Sequence, residues 1–222
     1  MSENTSKQMQ AESPNKENLI AAYMQQVLES ESFPTSVYAF CAKHNWQESQ
    51  FYANYGSLKA LRRDIWNVFL QQTLERCNHS STPHESLREK SLNFYFTFFE
   101  LLSLNRSYVL LDLHQAGNPL PRLDRIEGMK SGLNAMAKSW FAAVPQSSFG
   151  KLQEAKPYVY AAGMWGQLLF LMDFWIKDPS SDFEKTDMAI EKSVNTIFDL
   201  VDSAPLERLI DFGKFLVRER FS

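Results

Sequence analysis

The stretch LNFYFTFFELLSL, Leu92 to Leu104, constrains this chain more than any other. At helical spacing Phe94, Phe98, Leu101 and Leu102 share one face, while Tyr95, Phe96 and Phe99 point elsewhere. A helix apolar over so much of its circumference must be surrounded by protein on most sides. Several other helices are therefore needed to cover it. A second stretch, YVYAAGMWGQLLFLMDFW from Tyr158 to Trp175, makes the same demand. Only 8 of the 222 residues are Gly and few runs alternate, which favours an all-α chain. That length suffices for a sizeable core and for one or two domains.

Breaks along the chain divide it into helices. Residues 1–14 are polar and read as a flexible arm. Leu19, Ile20, Tyr23, Val27 and Leu28 then recur at spacings of three and four, until ESESFP breaks the helix at Pro34. Ser36 is suited to cap a second helix carrying Val37, Phe40 and Cys41. That helix closes near His44 and Asn45, and Asn is the non-glycine residue most able to adopt left-handed geometry. Trp46 is expected to pack inward. A short helix over 48–55 follows, then Gly56-Ser57 and a long helix from Leu58 to about Cys77. Two helices joined by a tight turn form a helix-turn-helix, whose second member can enter a major groove.

Beyond STPHES, helices are expected over 84–104, 105–116, 122–143, 152–177, 182–202 and 205–220, with a loop around AGNPLPR. The domain boundaries expected are 15–66 for the helix-turn-helix unit and 67–222 for a larger helical domain.

Net charge is −3, which argues against coating nucleic acid by bulk electrostatics but leaves room for a local basic patch. Cys41 and Cys77 are too few for a disulfide framework and fit a reduced, cytoplasmic setting. The N-terminus has no apolar core of the kind a signal peptide needs. The uncharged run from Tyr158 to Met172 is too short to span a bilayer, so no membrane insertion is expected.

Ser36, Phe40, Cys41, Asn45, Trp46, Phe51, Tyr52, Tyr55, Lys59 and Leu61 keep an order and spacing that resemble the N-terminal domain of TetR-family transcriptional regulators. FYANY, Phe51 to Tyr55, is the most telling piece. The rest of the chain resembles the family only in layout. The resemblance implies an Ω-shaped homodimer, each subunit with an N-terminal DNA reader and a C-terminal domain holding a ligand pocket. It also implies a repressor released from its double-stranded DNA operator by a small molecule. Four positions depart from the family pattern. Asn45 stands for the turn glycine and Trp46 for the following valine. Gln47, followed by acidic Glu48, stands for a small residue. Leu58 stands for the phosphate-binding lysine, with Lys59 one position late.

Carried onto this chain, the reader comprises Ser36, Gln47, Glu48, Gln50, Tyr52, Asn54 and Lys59. Gln and Asn can pair with adenine and Glu can accept from cytosine, whereas none of these grips guanine as Arg does. Tyr52 and Asn54 can donate to phosphate. Lys59 lies in the first turn of its helix, where the macrodipole already attracts phosphate. Residues 1–78 carry seven Lys and Arg against eight Asp and Glu, a weak electrostatic footprint for DNA.

In the larger domain Phe98, Leu102, His114, Met164, Trp165, Leu168 and Met172 are candidates to line a pocket for a small hydrophobic or aromatic effector. The same residues also suit plain core packing, and His114 also suits the surface. Asp173 fits a helix end better than a ligand anchor. Val194, Ile197, Phe198 and Val201 on one terminal helix, and Leu209, Phe212 and Leu216 on the other, suit a four-helix dimer interface or completion of the core. No phosphate loop, HExxH, CxxC or G-x-S-x-G occurs, so neither catalysis, cofactor nor metal is expected.

The function expected is a ligand-responsive, DNA-binding transcriptional regulator, most simply a repressor. The alternative is a TetR-fold protein with a degenerate reader that binds lipid or another hydrophobic molecule. A protein-interaction module built on the aromatic surface is a third reading.

Overall fold

Helix follows helix along the chain, and no strand occurs among the described residues. The computed structural model describes residues 13–80, 85–114, 119–143 and 157–203. The arm up to residue 12 and the helix expected over 205–220 lie outside them. The elements are α1 (Lys16–Ser30), α2 (Val37–Lys43), α3 (Glu48–Tyr52), α4 (Leu58–Ser80), α5 (Leu87–Leu104) and α6 (Arg106–His114). They continue as α7 (Pro119–Ala143), α8 (Pro157–Lys177), a 3-10 turn (Ser181–Phe183) and α9 (Glu184–Ser203). Two compact units emerge, one through Ile65 and one from Trp66 onward.

In the first unit, α1 opens on a reciprocal cap. Asn18 N–H donates to Asn15 Oδ1 at 2.8 Å, and Asn15 N–H donates to Asn18 Oδ1 at 3.3 Å. The helix ends on Glu31 in left-handed geometry (φ 47°), before Pro34 is reached. Phe40 is the hub of the core, meeting Tyr23, Trp46 and Phe51 edge-on at centroid distances of 5.8, 5.9 and 6.0 Å. Trp46 is only half-buried and also stacks on His44 at 5.0 Å. Asn45 adopts φ 56° between α2 and α3, the geometry for which glycine is usual and asparagine the least costly substitute.

α3 is shorter than the 48–55 expected. After Tyr52 the chain turns so that Tyr55 is buried and its hydroxyl donates to Asp64 Oδ2 on α4 at 2.8 Å. Burial and the Asp64 carboxylate push the Tyr55 hydroxyl well above its ordinary pKa, so it stays a donor. Ser57 caps α4 through the Ala60 N–H at 3.1 Å.

In the second unit α5 and α8 run parallel, joined at three levels. Ser91 and Tyr160 share a hydroxyl–hydroxyl bond of 2.9 Å; Tyr95 donates to Met164 O at 2.8 Å; Trp175 donates to Ser103 Oγ at 3.0 Å. Phe94, Tyr95, Phe98, Phe99, Leu101 and Leu102 are all buried, so the aromatic helix is enclosed on most sides. α5 starts at Leu87 rather than 84 because Ser86 and Glu89 form its capping box. α7 starts at Pro119, inside the loop expected around AGNPLPR. Pro119 and Pro121 occupy first-turn positions whose amides would lack intrahelical acceptors anyway. A Cβ on Gly132 of α7 would lie 2.8 Å from Leu70 Cδ2 of α4, so the glycine permits a close helix approach.

α8 is described from Pro157, and the expected start at 152 falls outside the described residues. With 21 residues and a mean hydropathy of 1.2 over its most apolar window, α8 is long and apolar enough to cross a bilayer by length and composition alone. The helix is longer than the uncharged run because it continues through Asp173 to Lys177. Its structural role is that of a bundle helix. It packs most extensively on α7 and also on α5 and α9, and Gln167 donates to Ser193 Oγ at 3.0 Å.

Candidate functional site

The helix-turn-helix ties several of its expected readers into the protein's own contacts. Ser36 is used as the α2 cap, accepting Ala39 N–H at 3.1 Å. Gln50 accepts the Gln47 backbone N–H at 2.9 Å and donates to Ser13 Oγ at 3.1 Å. Asn54 donates to Pro14 O at 3.2 Å and to Gln50 O at 3.0 Å. Two expected readers thus strap α3 to the segment before α1. Gln47, Glu48, Tyr52 and Lys59 remain exposed, Tyr52 at 52 %. Ser49 and Tyr38 join them at the surface, the latter on the first turn of α2 and 69 % exposed. Sequence reasoning missed Tyr38. The signal for Tyr38 was an aromatic one position off the apolar face of α2.

Cations of this unit are drawn toward its own acids and rings. Lys43 pairs with Glu29 at 3.3 Å, Lys16 lies 3.9 Å from Asp64, and the Arg62 guanidinium sits 3.9 Å from the Phe33 centroid. His44 binds Gln26 Oε1 at 3.1 Å; burial and then Lys43 lower its pKa, so it carries no charge to a phosphate at neutral pH.

In the second unit, Phe98, Leu102, Met164, Leu168 and Met172 are gathered on the buried faces of α5 and α8 as closely packed core. Trp165 is half-buried, with Lys130 Nζ 5.7 Å from its ring. His114 does not join them. It is exposed at the end of α6, and its Nδ1 lies 3.1 Å from Leu110 O.

A family model described as "Tetracyclin repressor-like, C-terminal domain" matches residues 90–216. The chain belongs to the TetR family of transcriptional regulators. A similar fold occurs in a protein from Syntrophomonas wolfei str. Goettingen assigned to the TetR-family transcriptional regulators. It has 12% identity and a TM-score of 0.65, over 82% of this chain and 94% of that one. No curated protein sequence matches this chain.

In this TetR-family chain the residues expected at the dimer interface separate. Val194 and Phe198, with Ile190, are buried within the subunit's own bundle, where α9 packs on α5 and α8. A side chain with no exposed surface has nothing to offer a partner, so Val194 belongs to the core. Ile197 is 39 % exposed. The Val201 side chain and all of Leu209, Phe212 and Leu216 lie outside the described residues. A different apolar face is exposed on α8. Ala162, Gly163, Gly166 and Phe170 share it, with Phe174 half-buried beside Phe170 and the Asp173–Lys177 ion pair (2.7 Å) at its end.

The TetR-family domain also carries a hollow of about 450 Å³ that the sequence did not disclose. Phe96, Phe99 and Glu100 of α5 line it, and Trp175 and Phe183 meet them there. Asp182 and Phe183 both have positive φ (50° and 60°), a geometry rare for non-glycine residues in succession. Just behind this turn, Asp178 accepts bonds of 2.6–2.9 Å from the Ser180 and Thr186 hydroxyls and backbone amides. Burial raises the Asp178 pKa, but these four donors outweigh it and hold the carboxyl at about 2. Among the described residues no cluster of His, Cys, Asp and Glu could hold a metal ion.

Proposed function

We propose that this chain is a dimeric, ligand-responsive, DNA-binding transcriptional repressor working in the cytoplasm. The observation that carries the reading is the α2–Asn45–α3 turn, which leaves Gln47, Glu48, Ser49, Tyr52 and Lys59 at the surface. In this reading α3 faces the major groove of a double-stranded operator. Tyr38 and Ser36 at the start of α2 lie along the phosphates, and Lys59 at the start of α4 takes the role of the displaced lysine. A small hydrophobic or aromatic effector would enter the second unit. It would favour a dimer whose two readers no longer match successive major grooves.

The dimer face we assign is the exposed side of α8. Gly163 and Gly166 have open space at their Cβ positions, and Phe170 stands one turn away from Gly166. Two copies of this face related by a two-fold axis would each lay a phenylalanine over the other's small residues.

The test of the reader is fluorescence anisotropy with DNA from immediately upstream of the chain's own gene against random DNA, at low and physiological salt. Preferential, salt-sensitive binding supports it; binding no better than random at low salt sinks it for that operator. A second reading, a hydrophobic-ligand binder with a silent reader, draws on the strapping of Gln50 and Asn54 and on the pairing of Lys16 and Lys43 with acids. Failure to bind DNA together with a co-purifying apolar molecule would favour it.

A further inference from the structure

We propose that the hollow between α5 and the start of α9 binds an organic cation with an aromatic or apolar body. Its volume of about 450 Å³ falls within the range of about 300–1,000 Å³ typical of small-molecule sites. Phe96 and Phe183, both half-buried, supply ring surface over a floor of buried Phe99 and Trp175, and ring faces attract cations.

Charge selects the class of ligand. Glu100, Asp182 and Asp187 line the hollow, and among the described residues no basic side chain does. All three carboxylates are exposed, and none forms a salt bridge with another described residue. Burial, then Asp178 and Glu184, raise the pKa of Asp187, so negative charge is crowded there and a cation would relieve it. An anionic ligand would meet three like charges, and a neutral one would leave the crowding unrelieved.

The rings already serve a cation elsewhere. The Arg106 guanidinium lies 4.4 Å from the Trp175 centroid and 4.5 Å from that of Phe183. Its own N–H groups are directed to the carbonyls of Trp175, Ile176 and Asp178 at the end of α8, at 3.1–3.4 Å. Arg106 therefore closes the helix end and does not line the hollow. The left-handed pair Asp182 and Phe183 brings a carboxylate and a ring to the same space.

This site is separate from the α5–α8 core and does not depend on the DNA-reader reading. Its test therefore uses no DNA. Benzyltriethylammonium is titrated calorimetrically into the full chain at low and physiological salt, with 4-ethylbenzenesulfonate as the anionic comparison. We expect saturable binding of the cation, weaker at the higher salt, and none of the sulfonate. Glu100→Gln with Asp187→Asn should lower the cation's affinity by about tenfold, and Phe96→Ala should lower it severalfold. Glu75→Gln with Glu127→Gln, an equal change in charge on exposed positions of α4 and α7, should leave affinity unchanged. Circular dichroism verifies that each variant folds. Absence of saturable cation binding, equal binding of the sulfonate, or an equal loss in the E75Q/E127Q variant would each overturn the proposal.

Discussion

The indole N–H of Trp66 donates to Asp112 Oδ2 at 2.9 Å, and neither side chain has any exposed surface. The bond fastens α4 to α6 within the second unit, and Arg125 of α7 stands 4.0 Å from the other carboxylate oxygen. A buried carboxylate is tolerable only with such partners, and removing it orphans both. Asp112→Ala should therefore destabilise the chain by about 2–4 kcal/mol. Trp66→Phe in a double-mutant cycle should show coupling of about 0.5–3 kcal/mol. Urea unfolding followed by circular dichroism measures both, and a loss under about 1 kcal/mol for Asp112→Ala would show the bond to be dispensable.

The reader separates by role. Lys59→Ala should weaken DNA binding at every sequence and reduce the slope of log affinity against log salt by about 1. Tyr52→Ala and Tyr38→Ala should weaken binding without changing thermal stability, because both side chains are exposed. Asn54→Ala should instead cost about 1 kcal/mol of stability through its bonds to Pro14 O and Gln50 O. If Gln50→Ala changes base preference while stability is untouched, its strap to Ser13 is not what holds it in the bound state.

On α8, Gly166→Ala fits open space and removes helix-interior glycine, so it should stabilise the subunit by about 0.5–1 kcal/mol. Gly166→Glu should keep the subunit folded and shift sedimentation equilibrium toward monomer. An unchanged dimer in that variant would move the interface off this face.

Asp178 gives an acid-side signature. Its folded pKa of about 2 lies below the ordinary value of 3.8, so its contribution is complete above that value and is lost as pH falls toward 2. Asp178→Asn should flatten that part of the stability profile and cost about 1–3 kcal/mol at neutral pH. Thermal melts between pH 2 and pH 6 would detect it; parallel profiles for both proteins would rule the carboxylate out as the source.

Helix identity was legible because the signals are local. Ser36, Ser57 and Ser86 cap the helices they precede, and Asn45 takes left-handed geometry. Ends set by long-range contacts were not. α3 stops early because Tyr55 turns to Asp64, and nothing within FYANY announces that bond. Site residues fared worse for a related reason. Gln50 on α3 and Asn54 just after it look like base readers until their partners 37 and 40 positions away are known. Periodicity marked Val194 and Phe198 as one apolar stripe but could not say which neighbour covers it; the subunit's own α5 and α8 do. The hollow drew its carboxylates and rings from three segments, and no motif links them.

The strap across α3 has a consequence for how an operator would be chosen. With Gln50 and Asn54 held by Ser13 and Pro14, little side-chain vocabulary remains for direct base contact, and none of it favours guanine. Discrimination would then fall on the bendability and groove width of the DNA rather than on its base edges. Selection of bound sequences from a random pool would return sites alike in A/T-rich, easily deformed steps and loose in letter-by-letter consensus. A sharp consensus centred on guanines would mean that the strap releases when DNA arrives.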